Sequence, residues 1–312
     1  MKKRIGIILN LGKPRAIRFA RDLLEALEKR RVDVVLEPEA GQALDVPDRC
    51  LFVEEFPGRV DLVFVLGGDG TLLGVARRLA AHRIPILGFN VGNLGFLSEA
   101  EPDDLESVID RVLAGDYMIE SRLMLKAEVV RDGETLELGN ALNDVGIAKG
   151  SFGRMITCHV KLDGMKLGSY SGDGLIVSTP TGSTAYSLSC GGPIVYPGIR
   201  AILLTPICPH TLTSRPMVLP AEGVLEIRPS AVHREMGVTI DGQAGFPLRE
   251  GDVVRVSRSP FPALLIKWHD RSFFEVVRRK LQGESVTHAV QEEINESATT
   301  YQNPGNHFFH GD

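Results

Sequence analysis

Leu62-Val63-Phe64-Val65-Leu66-Gly67-Gly68-Asp69-Gly70-Thr71 decides how the rest of the chain is read. An apolar run of strand length enters three glycines and an aspartate, and Leu72, Val75, Ala76 and Leu79 then recur at helical spacing. A parallel strand covered by helices on both faces reads as such a continuous run. In open α/β sheets, ligands bind beyond the carboxyl ends of the strands. Glycines there let backbone N–H groups approach a phosphate, and the following helix presents its positive end. The plain alternative is a simple turn at Gly67-Gly68, with Asp69 capping the helix.

The same rhythm flanks this stretch. Ile5 to Leu9 reads as a strand, Ile17, Ala20, Leu24 and Leu27 as a helix, and Val32 to Leu36 as a strand again. Residues 37–59 are a less regular connection. Ile84 to Phe89 is a fourth strand, and Leu105, Val108, Ile109, Val112 and Leu113 mark a helix that Gly115 ends. Such alternation implies a mostly parallel, helix-covered sheet. From about Tyr117, short β-like segments are separated by Asp132-Gly133, Asp163-Gly164, Glu222-Gly223, Asp241-Gly242 and Glu250-Gly251. The Asp-Gly pairs suit type I′ hairpin turns.

The expected fold is therefore α/β plus all-β. A Rossmann-like N-terminal domain covers 1–118 and is completed by 265–283. A β-sandwich-type domain covers 119–264. Phe273, Phe274, Val277 and Leu281 fit a last helix returning to the first domain. Residues 284–312 read as a polar, disordered tail in which His288, His307 and His310 are solvated rather than ligating.

The hydrophobic share of 43% and charged share of 24% are those of a soluble globular protein. No stretch approaches the ~20 apolar residues of a membrane span. The basic start, MKKRIGIILN, is a first strand rather than a leader, because Gly12, Lys13 and Pro14 end its short apolar run. Cys50, Cys158, Cys190 and Cys208 form no CxxC pair and read as reduced thiols of the cytoplasm. Net charge is −5, and Lys and Arg are scattered, which argues against a nucleic-acid partner. Arg278-Arg279-Lys280 suits a helix C-terminus.

Two phosphate motifs fail on the opening stretch. No Lys-Ser/Thr follows, so it is not a P-loop. A GxGxxG fingerprint fails because Leu73 stands where the third glycine belongs and Gly74 comes one place late. An aspartate in a phosphate-binding turn repels its ligand, so Asp69 needs another task, such as binding or deprotonating a sugar hydroxyl. A second signal runs from Gly172-Asp173-Gly174 through Thr179-Pro180-Thr181-Gly182-Ser183-Thr184-Ala185-Tyr186 to Gly191-Gly192-Pro193. A strand ending in so many hydroxyls and glycines offers dense hydrogen bonding, although such clusters are commonly plain loops. Asn143-Asp144 could be an ordinary turn. Asn90-Val91-Gly92-Asn93-Leu94-Gly95-Phe96-Leu97 follows another strand's carboxyl end.

In order and spacing, these four stretches together with Asp241-Gly242-Gln243 and Phe273-Phe274-Glu275-Val276 resemble the NAD kinase family over about residues 4 to 283. The glycine turn alone also resembles lipid, sphingosine and phosphofructokinase-type kinases; the Asp173 to Tyr186 run is more specific. The resemblance implies an ATP-dependent kinase that phosphorylates the adenosine ribose of NAD to give NADP, with Mg²⁺ accompanying ATP. It implies that Asp69 is the proton acceptor, with Gly70 beside it, and that Asn143 and Asp144 hold the adenine side. Arg154 and Gln243 fall at further NAD contacts, and Asp173 near the nicotinamide half. Thr184, Ala185, Tyr186, Ser187, Leu188 and Ser189 would line the adenine and ribose pocket. It also implies a homodimer or homotetramer whose sites borrow residues across subunits. Some members carry a basic residue where this chain has Ser171, so their preference between NAD and NADH does not carry over. A lipid or sugar kinase would share the Asp69 turn without the Asp173 to Tyr186 run, and a silent NAD sensor would keep the pocket alone.

Overall fold

Leu62–Gly67 is a buried strand near the middle of a six-stranded sheet, and Asp69–Leu79 is the helix that follows it. The computed structural model describes residues 3–92, 95–150, 154–211, 213–231 and 235–281. Strand order in this sheet is Asp33–Leu36, Arg4–Leu9, Leu62–Gly67, Ile86–Asn90, Ala263–Lys267 and Met118–Arg122. The first four are parallel to one another, and Met118–Arg122 runs antiparallel to Ala263–Lys267. The strand's continuous apolar run is explained by its two faces. Leu62, Phe64 and Leu66 join one core with Phe19, Leu23 and Leu27 of the helix Pro14–Lys29. Val63 and Val65 join the other with Leu72, Val75 and Leu79. Helix Leu105–Ala114 ends at Gly115, whose φ of 78° is left-handed.

Beyond Arg122 the chain builds two six-stranded sheets. One has the order Met165–Gly172, Ile156–Leu162, Leu225–Ser230, Val253–Arg258, Leu125–Arg131, Glu134–Ala141. The other has the order Met217–Pro220, Ala201–Ile207, Gly174–Ser178, Asp144–Lys149, Met236–Ile240, Ala244–Leu248. Among the described residues, neighbouring strands in both sheets run antiparallel. Leu125, Ala127 and Val129 of the first share one core with Val145, Ile147, Leu175 and Val177 of the second. Asp132-Gly133, Asp163-Gly164 and Asp241-Gly242 have positive φ at both residues, as the hairpin reading requires.

Some details differ from the sequence expectation. The change of rhythm near Tyr117 precedes one more strand of the α/β sheet, Met118–Arg122, and Ala263–Lys267 returns from the far end of the chain to pair with it. The connection 37–59 contains a helix, Pro38–Ala43, and two single-turn 3₁₀ segments. A separate unit starts at Asp270 and contains the helix Phe273–Leu281; in that helix Val276 is the buried residue, and Phe274 and Leu281 are exposed. The tail reading for 284–312 lies outside the described residues. Among those described, no helix is long and apolar enough to cross a membrane.

Candidate active site

Gly68 stands at the N-cap in extended conformation, and Asp69 is the first helical residue with no capping bond. Its carboxylate instead accepts the backbone N–H of Phe96 at 2.7 Å and of Leu97 at 3.3 Å. The plain capping reading of Asp69 is thus set aside. A side chain at Gly95 would collide with that carboxylate, so only glycine lets the loop close this far. Behind the loop, Glu99 is 2% exposed. It accepts Lys267 Nζ at 2.6 Å and the Trp268 N–H at 3.0 Å, and Trp268 Nε1 donates to its carbonyl at 3.1 Å. Burial pushes the Lys267 pKa down, although Glu99 pulls it up.

Asn10, Lys13, Gly68, Gly70, Thr71 and Gln243 line a cleft of about 560 Å³ at this edge. Lys13 Nζ lies 3.3 Å from where a Cβ on Gly68 would stand, which sets the ammonium over the glycine turn. Asn10 Nδ2 donates to Thr71 Oγ1 at 3.3 Å. A larger cavity of about 740 Å³ opens beside the edge strand Asp33–Leu36, lined by Arg4, Arg31, Asp33 and Arg49. Arg4 and Asp33 begin their strands, so that cavity includes the amino ends, opposite to where open sheets bind ligands.

The other side of the site hangs on Asp241. Its carboxylate accepts the N–H groups of Leu142 at 3.1 Å, Asn143 at 2.7 Å and Asp144 at 3.1 Å. Arg77 Nη1 donates to it at 2.9 Å, and Arg77 Nη2 donates to Gln243 Oε1 at 2.6 Å. Gln243 Nε2 then donates to the Gly70 carbonyl at 2.7 Å. Thr179 closes over Asn143, its N–H donating to the Asn143 carbonyl at 2.9 Å and its Oγ1 to the Leu142 carbonyl at 2.6 Å. Gly182 packs so tightly against the Asn143 carbonyl that no Cβ would fit. Asn143 Oδ1 is buried and has no hydrogen-bond donor. Such an atom costs about 1–3 kcal/mol unless something supplies one. Asp144 is buried, and its carboxyl is pushed up to about 7, first by burial and then by the negative charge of Asp241.

The remaining expected residues vary in what they present. Asp173 Oδ1 pairs with Lys149 Nζ at 2.9 Å, and Ser171 Oγ shares a hydrogen bond with Thr157 Oγ1 at 2.9 Å. Thr184 Oγ1 donates to the Thr181 carbonyl at 3.3 Å. Ser187 is fully buried, its hydroxyl engaged with Thr205 at 2.8 Å, while Ser189 is exposed and Ala185 and Leu188 are half-buried. Tyr186 is 50% exposed. Its hydroxyl pKa is raised mainly by the burial it does have, then by Cys190, Cys208 and Asp173 nearby. Arg154 is exposed and stands outside this network among the described residues.

The structure thus joins Gly70, Gln243, Asn143 and Asp144 through hydrogen bonds and sets Asp69 beside them. Asn10, Lys13 and Arg77 were not among the expected residues. Lys13 could have been found: Arg4–Leu9 lies parallel to Leu62–Gly67, so the residues just past both strands share one edge.

Comparison with known proteins bears on the family and the fold. Residues 5–117 match the ATP-NAD kinase N-terminal domain, and residues 142–268 match the ATP-NAD kinase C-terminal domain. An NAD kinase of Moorella thermoacetica is 47% identical over 280 residues, covering 90% of this chain and 89% of that protein. One of Symbiobacterium thermophilum is 46% identical, covering 89% of this chain and 98% of that protein. Among solved structures, yeast NADH kinase complexed with NADH superposes with a TM-score of 0.83 at 25% identity, over 91% of this chain and 88% of that one. An Archaeoglobus fulgidus NAD kinase in complex with ATP gives 0.71 at 26% identity, over 88% of this chain and 98% of that one. The two matched domains, the relatives and the joined site lead to one conclusion: the chain belongs to the ATP-NAD kinase family, an ATP-dependent kinase acting on NAD.

Proposed function

We propose that this chain transfers the terminal phosphoryl group of ATP to the 2′-hydroxyl of the adenosine ribose of NAD, with Asp69 as proton acceptor. The observation that carries this reading is the orphaned, buried Asn143 Oδ1, held in the same hydrogen-bonded chain as the Asp69 turn. An acceptor in that position suits an amine donor such as that of adenine. A carboxylate has roughly four lone-pair sites, so two backbone donors leave room on Asp69 for a ribose hydroxyl.

A ribose hydroxyl is a far weaker acid than a carboxylic acid, so Asp69 receives the proton late, as the oxygen bonds to phosphorus. The new O–P bond forms as the bond from phosphorus to the ADP oxygen breaks. General-base help of this kind is worth roughly 10²–10⁴-fold. The larger share comes from holding hydroxyl and phosphate in line. Lys13 over the turn balances negative charge on the transferring group, as cationic clamps do in phosphoryl transfer. Among the described residues no three His, Cys, Asp or Glu side chains are grouped to hold a metal. Among the same residues the cleft's own lining carries no carboxylate, so Mg²⁺ would arrive on the ATP phosphates and would offset their charge there, with the Asp69 carboxylate beside Gly68 and Gly70 as a further oxygen donor.

Tyr186, Ile194, Tyr196 and Ile199 are 40–50% exposed beside the Asp173 to Ser189 run, and support the homodimer or homotetramer that the family resemblance implies. Four free thiols suit a cytoplasmic location. The deciding assay incubates the purified chain with ATP, Mg²⁺ and NAD and follows NADP with an NADP-specific dehydrogenase. Binding of NAD without NADP formation would support a silent sensor, and phosphorylation of a lipid or sugar instead would defeat the NAD reading.

A further inference from the structure

One buried carboxylate joins the two sides of the site. The Asp241 side chain is 0% exposed and sits in a turn where its own φ of 50° and that of Gly242, 64°, are left-handed. Three consecutive N–H groups, those of residues 142, 143 and 144, converge on its two oxygens. That convergence requires the backbone to curl around the carboxylate, and the same curl aims Asn143 and Asp144. A buried carboxylate is held ionised only by a close countercharge and satisfied lone pairs. Arg77 supplies the charge from the helix that begins at Asp69, and its second nitrogen reaches Gly70 through Gln243.

We propose that Asp241 and Arg77 are positioning residues for the kinase: their ion pair locks Asn143-Asp144 to the Asp69 turn and sets the charge that Asp144 presents to the nucleotide. This rests on the proposed reading that Asn143 and Asp144 hold the NAD. The charge arithmetic is local. Asp144 is faced by Asp241 from the turn after Met236–Ile240 and by the Cys190 thiol, which lies close enough to feel its charge, while Arg77 from the helix pairs with Asp241. On the paired strand, the residue opposite is the uncharged Ser178. Asp241 disfavours ionisation of Asp144, and Arg77 counteracts Asp241. A pair that were mere mortar would fasten the backbone without moving any titration.

The test measures NAD affinity by calorimetry from about pH 5.5 to 8.5, together with kcat, for the unmodified chain, Asp241→Asn and Arg77→Met. Removing the Asp241 charge should move the midpoint of the affinity profile down, and removing Arg77 should move it up, each by about one pH unit. Both variants should bind NAD roughly tenfold more weakly at their best pH, an effect larger than their loss in kcat. Circular dichroism establishes that each variant folds; if Asp241→Asn does not, the direction of the Arg77→Met shift decides alone. Shifts in the same direction, a midpoint that stays put, or a loss confined to kcat would overturn the proposal. NAD binding without NADP formation by the unmodified chain would refute the kinase reading and leave the opposed shifts still measurable.

Discussion

Replacing Asp144 by Asn should make the ligand-free protein more stable at alkaline pH, because Asp144 is held where its charge is unwelcome. The carboxyl is buried, lies beside Asp241, and is pushed up to about 7 from an ordinary 3.8. Between those two values the folded protein keeps the proton and the unfolded chain has lost it. Folding then binds a proton, so stability falls as pH rises from 3.8 to about 7 and stays low above it. The gap is about three pH units, and at ~1.36 kcal/mol per unit the ceiling on the penalty above neutrality is roughly 4 kcal/mol. Asparagine has similar shape and does not titrate. Asp144→Asn should therefore gain up to roughly 4 kcal/mol at pH about 8.5, with the gain shrinking by ~1.36 kcal/mol for each pH unit below about 7. Urea unfolding followed by circular dichroism and by the single, buried Trp268 would measure it, provided the two transitions coincide. A difference that does not change with pH, or a variant less stable than the parent at alkaline pH, would refute the reasoning. The same substitution should weaken NAD binding, since a site tuned for a ligand is commonly less stable than one relieved of that duty.

Asp69→Asn should lower kcat by roughly 10²-fold or more while NAD still binds, and near-parental turnover would remove Asp69 from the chemistry. Asn143→Ala should weaken NAD binding by about 1–3 kcal/mol, read by calorimetry; unchanged affinity would mean the orphaned Oδ1 meets no ligand. Lys13→Ala should raise the KM for ATP by roughly tenfold or more and reduce its salt dependence, as expected for a charged contact worth ~1.5–3 kcal/mol. An ATP KM indifferent to both the substitution and salt would take the ammonium out of the donor site.

The parts of this fold that were legible in the sequence are those set by local periodicity. A run such as Leu62 to Leu66 can be continuous because its alternate residues enter two different cores, and the Asp-Gly turns carry their own backbone preference. Residues 265–283 were expected to rejoin the first domain, but which strands Ala263–Lys267 would pair with was not legible, since a strand five residues long says nothing about which edge it joins. The site divides in the same way. Asp69, Asn143 and Asp173 stood in recognisable stretches, whereas Lys13 and Arg77 looked like ordinary surface cations at a helix start and in a helix's last turn. Their roles arise from neighbours far away in the chain, at Gly68 and Asp241. Ser187, read as part of the pocket lining, turns its hydroxyl inward to Thr205, which spacing along a loop does not reveal.

The clasp on Asp69 also has a history in time. The loop that donates Phe96 and Leu97 is backed by Glu99, and Glu99 meets its partner Trp268 only 169 positions later in the chain. At a synthesis rate of ~5–20 residues per second, a ribosome leaves that glutamate without its indole and ammonium partners for roughly 8–34 s. Throughout that interval the edge of Ile86–Asn90 is covered only by its local bonds to Glu99 and Ala100, and Ile86 lacks its neighbour Leu265, which is made after the entire β domain. The nascent chain therefore exposes part of one edge of an apolar strand beside an unfinished Asp69 turn, a natural target for chaperones and proteases. Arrested chains ending before Ala263 should be cut readily around Gly88 to Ala100, and chains released after Trp268 should resist.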